Sequence, residues 1–356
     1  MQDLDGMQLR YQRLQKRRYN GKKNVFLMPK KIRNELITLH EILYPEEKEI
    51  LEQFFRDFLQ DTTYDFSEDI ANIKYIIYTA DSCYRSVIMK SLPYIQLEQL
   101  DNRKPDKVEM YNFYSNRILI KLSNQKDMKK DAYPYGVFFH ELSHAVDDVS
   151  CMDVFLKVRH SVDYYTNESE EKLQDIARRE IKSRILSSIN EIVKNKKLNL
   201  DEEQIQLFME ILFSRVTEVY PFDNEDMKTL YEELRKEYGY SVYDRGKKTL
   251  QPHLGKKHLL YQKKYKAVTD VIGGFTGNSL GAVPCGHFSL LYWYNLFGAE
   301  TKRQSRELWA EYSSYLIIGD GDGKRGTEHY FPESCAFIRH IWREIEATIL
   351  AGKLPY

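Results

Sequence analysis

Two histidines and a glutamate between residues 140 and 144 have the types and spacing of a metal-binding, hydrolytic site. His140 and His144 are four residues apart. On an α-helix such positions lie one turn apart on the same face, so both imidazoles can reach one ion. Glu141 lies beside that face, where its carboxylate can take a proton from a water molecule on the ion. This H-E-x-x-H pattern predicts a zinc site with Glu141 as the general base.

The sequence around this pattern predicts that it lies on a helix with one buried face. Apolar residues recur there at helical spacing. They are Val137, Phe138, Leu142, Ala145, Val146 and Val149. Pro134 and Gly136 come just before the pattern and suit a helix start. Asp147 and Asp148 follow it; they either bind the ligand histidines or end the helix, and their position does not separate these roles.

A catalytic zinc needs a third protein ligand and leaves its fourth position to water. Glu307 is the best candidate, because Glu307 and Glu311 are four residues apart on a predicted helix. One carboxylate can then bind the metal while the other orients a ligand histidine. Asp270 is the rival third ligand, and His287 is a further alternative.

The run FFHELSHAVDD at residues 138–148, followed by ELWAE at 307–311, resembles the catalytic domain of the zincins related to anthrax lethal factor. In that family the active-site helix also continues as H-A-V-D-D, and a later E-F-F-A-E segment supplies the third ligand. The resemblance implies that Glu307 is the third ligand and Glu311 the partner of one histidine. Two features depart from the family. Glu307 lies much further from His144, and no tyrosine falls at the family's offset before Glu307.

A second set of motifs is similar to zincin-like proteins encoded by phages and mobile elements. Those proteins carry S-D, then G-H, then Y-W, then E-x-F-A, and the corresponding dipeptides here begin at Thr269, Gly286 and Tyr292. This similarity makes His287 and Tyr292 the first candidates for stabilising an oxyanion, with Tyr294 next. All the motifs together cover about a fifth of the chain.

These resemblances imply a zinc-dependent metallopeptidase that hydrolyses a peptide bond of a protein substrate, in a phage- or toxin-associated setting. Zn²⁺ would activate water and, with one further donor, stabilise the oxyanion. Glu141 would take the water proton and pass it to the leaving amine. The alternative is a non-catalytic, zinc-stabilised interaction or structural protein of a mobile element. Hydrolysis of a non-peptide amide is a third hypothesis, which keeps the site and changes the substrate.

Charge and hydropathy limit the partners. The 53 basic and 53 acidic residues balance, so no overall field favours nucleic acid or an anionic membrane. The basic stretch at residues 10–23 is a local exception that suits a contact with nucleic acid or an acidic partner, or a solvated helix. No segment approaches the roughly 18 apolar residues of a membrane span. We therefore expect no membrane partner, and the sequence does not indicate an oligomeric state.

The four cysteines are scattered without a C-x-x-C pair, which argues against a zinc ribbon or a redox motif. The first residues lack the apolar core of a secretory signal. These two features predict a cytoplasmic protein, or one exported without a cleaved signal peptide.

The helices and strands predicted around these residues indicate an α+β, mostly helical fold. The expected architecture is a zincin-like domain with a small sheet before the active-site helix and a long helical insertion. Strands are predicted at residues 73–79 and 117–122. Helices are predicted on both sides of Pro45 within 32–60, and at 170–194, 204–213, 224–238, 304–318 and 331–350.

The Gly-rich segment from residue 266 predicts a tight loop packed near the site. The expected domains are an N-terminal helical region at 1–70 and a catalytic domain at 71–356, with the helical insertion at about 155–240.

Overall fold

The computed structural model describes most of the chain. The described residues are 4–19, 29–60, 64–100, 110–122, 135–151, 159–165, 170–214, 224–244, 249–253, 266–277, 279–281, 290–293 and 301–352. Within them the chain is mostly helical with two small sheets, which confirms the expected helical α+β class. None of the helices in these ranges combines the length and apolar character needed to cross a membrane.

The elements are numbered in chain order. The helices before the motif and through it are α1 (Leu4–Tyr19), α2 (Lys30–Leu43), α3 (Pro45–Phe54), α4 (Arg56–Leu59), α5 (Ser67–Thr79), α6 (Ser82–Ser91) and α7 (Gly136–Val149). The later helices are α8 (His160–Asp163), α9 (Leu173–Lys196), α10 (Glu202–Leu212), α11 (Glu225–Tyr238), α12 (Lys266–Phe275), α13 (Leu290–Trp293), α14 (Arg303–Ile318), α15 (Gly321–Tyr330) and α16 (Pro332–Leu350). The strands are β1 (Gln96–Gln99), β2 (Met110–Asn112), β3 (Arg117–Ile120), β4 (Tyr240–Asp244) and β5 (Thr249–His253).

The chain divides into two compact units. The first comprises Met1–His160, Ser313–Lys324 and Arg339–Tyr356, and the second comprises Ser161–Tyr312 and Arg325–Ile338. Helix α14 is continuous, and its residues from Ser313 onward belong to the first unit. The domain boundary expected after residue 70 lies inside α5 and within the first unit.

The N-terminal helices of the first unit follow the predicted pattern. Pro45 is the first residue of α3, where its fixed φ suits a helix and its missing N–H would have no partner in the helix. The helix–break–helix prediction for residues 32–60 is therefore confirmed by α2, α3 and the short α4.

The strand predicted at residues 73–79 is wrong, because these residues form the second half of α5. Ile73, Ile76 and Ile77 are all fully buried. A helix buried on every side gives the same unbroken apolar run as a buried strand, so periodicity cannot distinguish them. The helix starts at Ser67 with Glu68 and Asp69 in its first turn, where acidic side chains favour the helix dipole.

The sheet of the first unit has the strand order β1-β3-β2. Strand β3 confirms the prediction at residues 117–122; it pairs in parallel with β1 and antiparallel with β2. Both β2 and β3 contact α7. A small sheet therefore precedes the helix that carries the H-E-x-x-H pattern and packs against it.

The predicted long helices of the second unit are confirmed as α9, α10 and α11, and each of the last two begins at a side-chain cap. Asp201 and Gln204 form a reciprocal capping box at the start of α10. The Asn224 side chain accepts hydrogen bonds from two amides of the first turn of α11. Such caps replace hydrogen bonds that the first turn cannot make within the helix.

The loop predicted from residue 266 is wrong for its first ten residues, which form α12. The side chains from Val268 to Phe275 are buried. Glycine and other small residues in this segment allow other elements to approach its backbone closely, so they indicate tight packing here rather than a loop. The predicted helices at 304–318 and 331–350 are confirmed as α14 and α16.

Candidate metal centre

The start of α7 is fixed by α5. Tyr135, the residue before α7, has a left-handed backbone with φ of 59°, a conformation that non-glycine residues rarely adopt. Its hydroxyl donates to Asp69 Oδ1 at 2.7 Å and accepts from Asn72 Nδ2 at 3.0 Å. Burial raises the pKa of Tyr135 far above its usual range, so the hydroxyl stays protonated. These bonds hold the chain where α7 begins.

The two histidines of the motif lie together on α7, as predicted. Their ring centroids are 4.7 Å apart and the ring planes are perpendicular. His144 is buried and His140 is half-buried. The i, i+4 spacing therefore places two imidazoles side by side, one of them on the accessible side of the helix.

Glu141 is buried beside the histidines, and its carboxylate reaches the sheet. Its Oε2 accepts a hydrogen bond from the backbone N–H of Tyr111 in β2 at 2.6 Å. This bond fixes one carboxylate oxygen. The predicted general base therefore lies where α7 meets an outer strand of the sheet.

Asp148 supports this arrangement from the end of α7. The hydroxyl of Tyr111 lies 3.0 Å from Asp148 Oδ2 and 3.1 Å from Asn116 Oδ1. Arg159 pairs with the other oxygen of Asp148. Asp148 therefore holds the strand that holds Glu141, a role different from the two considered from its position in the sequence.

Asp147 is fully buried one residue earlier. Its negative charge acts on His160, whose pKa is lowered by burial and raised in part by Asp147. The helix continues past both aspartates to Val149, so neither of them ends it.

In the second unit, Tyr292 on α13 contacts Glu307 on α14. The Tyr292 hydroxyl donates a hydrogen bond to Glu307 Oε1. Burial raises the pKa of Tyr292 far above its usual range, and the charges of Glu307 and Asp270 add to this shift. The Arg303 guanidinium lies 4.2 Å from the centroid of the Tyr292 ring and opposes the shift. Tyr292 is thus a protonated donor to a buried carboxylate.

The first turn of α14 is held by neighbouring helices of the same unit. Gln304 Nε2 donates to the carbonyl of Gly274 in α12 at 3.1 Å. Ser305 N–H donates to Gln174 Oε1 in α9 at 3.0 Å. These contacts fix the helix one turn before Glu307. Glu307 itself is only 2% exposed, and a buried carboxylate is costly unless it has hydrogen bonds or a cation.

His140, His144 and Glu307 form a cluster that can hold a metal ion. One ring nitrogen from each histidine and one carboxylate oxygen of Glu307 all lie within 4.8 Å of one another. A tetrahedral zinc with bonds of about 2.1 Å separates its ligands by about 3.4 Å. Two imidazole nitrogens and a carboxylate oxygen are also donors that suit zinc. The cluster contains three residues within the described part of the chain, one fewer than a closed structural site usually has.

The other predicted site residues fall into two groups. Asp270 and Glu311 are buried, on α12 and α14 respectively, and neither belongs to the cluster. The predicted contact between Glu311 and a ligand histidine stays a prediction. His287 and Tyr294 lie outside the described residues.

Comparison with known proteins adds no further constraint. No family model, curated protein or solved structure matches this chain.

Sequence reasoning missed the residues that hold Glu141. Tyr111 binds it through a backbone amide, which carries no sequence signal because every residue except proline has one. The position of Arg159 in the sequence has no regular spacing to the motif, so the sequence does not indicate its ion pair with Asp148. Only β2 and its pairing to β3 bring Tyr111 to the motif helix.

Proposed function

We propose that the protein is a zinc-dependent peptidase whose metal is held by His140, His144 and Glu307. The observation that carries this proposal is the cluster of these three side chains with Glu141 adjacent in sequence to the first histidine. Bound zinc would polarise a water molecule and the scissile carbonyl. Three protein ligands leave a position for these reactants.

Glu141 is the general base in this proposal. A carboxylate can take the proton of the attacking water and deliver it to the leaving amine. The Tyr111 amide holds Oε2 at 2.6 Å, which restricts the rotation of the carboxylate. The remaining oxygen is then the one that handles the proton.

Tyr292 positions the third ligand. Its hydrogen bond occupies Glu307 Oε1, so Oε2 is directed toward a metal by a fixed neighbour. The motif similarity favours Tyr292 as an oxyanion donor, and that role would require its hydroxyl to leave Glu307 during the reaction. We therefore assign it to positioning Glu307.

The substrate in this proposal is an extended peptide. Strand β2 pairs with β3 on one side and is at the end of the strand order. Outer strands bind extended peptides by adding backbone hydrogen bonds. Because Glu141 is bonded to β2, a peptide along this strand would bring its scissile bond close to the base.

The decisive experiment compares the protein with Glu141→Gln, using an unstructured protein as substrate and mass spectrometry to identify products. We expect cleavage that requires zinc, and a loss of at least about a hundredfold in rate for Glu141→Gln. Zinc should stay bound, because Glu141 is not a ligand. Glu191→Gln on the exposed face of α9 is the matched control and should cleave normally.

Two outcomes would contradict this proposal. The same products at the same rate from Glu141→Gln would exclude Glu141 as the base. Zinc that raises the melting temperature while no substrate is cleaved would instead favour the non-catalytic, zinc-stabilised protein.

A further inference from the structure

A cleft in the first unit lies away from the strand that holds Glu141. It has a volume of 930 Å³ and is lined by α3, α4 and the segment that leads into β1. Apolar side chains at the cleft include Phe54, Phe58, Leu92 and Leu97. Phe58, Leu92 and Leu97 are buried. The volume is in the range of about 300–1,000 Å³ that is typical of ligand sites.

Strand β1 directs part of its backbone away from the sheet. The N–H group of Gln96 donates a hydrogen bond to the carbonyl of Asn116, just before β3, and the N–H group of Leu100, just after β1, donates to the carbonyl of Ile120 in β3. Both distances are 2.8 Å. In a parallel pair alternate residues direct their N–H and C=O to the same neighbour. The backbone N–H and C=O groups of Leu97 and Gln99 therefore point to the edge of β1 that faces away from β3. At that edge no backbone hydrogen bond joins these groups to another described residue.

We infer that the β1 edge binds an extended peptide segment of a partner protein, which adds a strand beside β1 in this cleft. Exposed backbone donors and acceptors at regular spacing recognise an extended backbone. The four residues of β1 offer an edge of about 13 Å, enough to pair with about four peptide residues. This site is on the opposite side of the sheet from β2, and it does not depend on the proposed peptidase activity.

The charged residues that line the cleft indicate which side chains the bound peptide should carry. Glu98 pairs with Arg117 at 2.6 Å. Glu49 and Asp57 are exposed, and no ion pair joins either to a described residue. Arg56 on the same wall carries one positive charge. The net charge of Glu49, Asp57 and Arg56 together is therefore negative. The cleft therefore suits a peptide in which apolar side chains for the floor alternate with basic ones for the rim.

The test uses a fluorescent, acetylated and amidated hexapeptide of alternating Val and Lys, with binding measured by anisotropy at low salt. We expect the same peptide with N-methyl groups on alternate backbone nitrogens to bind at least about tenfold more weakly, because it lacks donors for β1. The double variant Glu49→Lys, Asp57→Lys should bind about fivefold more weakly. The matched control Glu191→Lys, Glu210→Lys, with exposed sites on α9 and α10, should bind normally.

Hydrogen exchange locates the peptide. Saturating peptide should slow exchange at the Leu97 and Gln99 amides about tenfold or more, with little change at Gln96 and Glu98, whose amides face β3. Equal binding of the N-methylated peptide, or unchanged exchange at Leu97 and Gln99, would overturn the inference. Protection of these amides that rises with protein concentration alone would also overturn it, because a second copy would then occupy the edge.

Discussion

The hydroxyl of Tyr292 donates a hydrogen bond to Glu307, which joins the short helix α13 to the carboxylate of the metal-binding cluster. A buried tyrosine with a raised pKa stays a donor at any physiological pH. The bond therefore fixes one oxygen of Glu307 before an ion arrives.

Glu307→Ala should lower zinc affinity more than about a hundredfold, because it removes one of three ligands. Asp270→Ala should lower it far less, since Asp270 lies outside the cluster. Equilibrium dialysis with metal analysis measures both variants. Zinc that stays with Glu307→Ala but leaves Asp270→Ala would make Asp270 the third ligand.

Tyr292→Phe should weaken zinc binding about tenfold by releasing Glu307 from its hydrogen bond. The expected loss of stability is only about 1 kcal/mol. Tyr312→Phe is the matched control, because Tyr312 on α14 also donates to a glutamate, Glu328, at 2.7 Å. Competition with a chelating dye measures the zinc affinity of both variants. Equal zinc affinity in both variants would rule out a positioning role for Tyr292.

Tyr111→Phe should slow peptide cleavage about tenfold while zinc affinity is unchanged, because β2 loses the hydroxyl bond to Asp148 that holds it in place. The Tyr111 amide that binds Glu141 remains but is held less firmly. Tyr114→Phe in the turn after β2 is the control, since Tyr114 is 84% exposed. Rates and zinc affinity are measured on the same samples. A parallel loss in both variants would indicate that the turn, rather than the Tyr111 hydroxyl, matters.

Acidification should destabilise the first unit through His40. This side chain is fully buried and bonded to Tyr11 and Glu47 at 2.6 and 2.8 Å. Burial lowers its pKa below the usual 6.5, although Glu47 opposes the shift. The folded state thus favours neutral His40, so this contribution to stability is present above pH 6.5 and is lost as pH falls through the lowered pKa.

Chemical denaturation at pH 7 and at pH 5, without zinc, measures this effect. The free energy of unfolding should fall between the two pH values by more in the natural protein than in His40→Gln, which cannot titrate there. An equal fall in both proteins would assign the pH dependence to other groups.

Much of the site could be predicted from the sequence because its chemistry depends on fixed spacing. The i, i+4 pair His140 and His144 needs only one helix, and α7 supplies it. Glu307 is more distant in sequence; its i, i+4 spacing to Glu311 and the motif resemblance both favour it over Asp270, and it belongs to the cluster with the two histidines. The amide of Tyr111 lies near Glu141 only because of strand pairing, which local sequence does not encode.

The errors in secondary structure share one physical cause. Residues 73–79 and 266–275 lie in α5 and α12, and nearly all the side chains at 73–79 and 268–275 are buried. Complete burial removes the polar positions that reveal helical periodicity. The exposed helices α10 and α11 keep those positions and their caps, and both were predicted within a few residues.

Gly274 packs against the residues that position Glu307, a member of the candidate metal cluster. A Cβ there would lie 2.9 Å from both Gln304 Cγ and the Trp293 ring. Trp293 follows Tyr292, and Gln304 lies one turn before Glu307. Relatives of this chain should therefore keep glycine at position 274, or pair a larger residue there with a smaller one at 293. Conservation of the candidate metal cluster thus depends on a residue that is not one of its members.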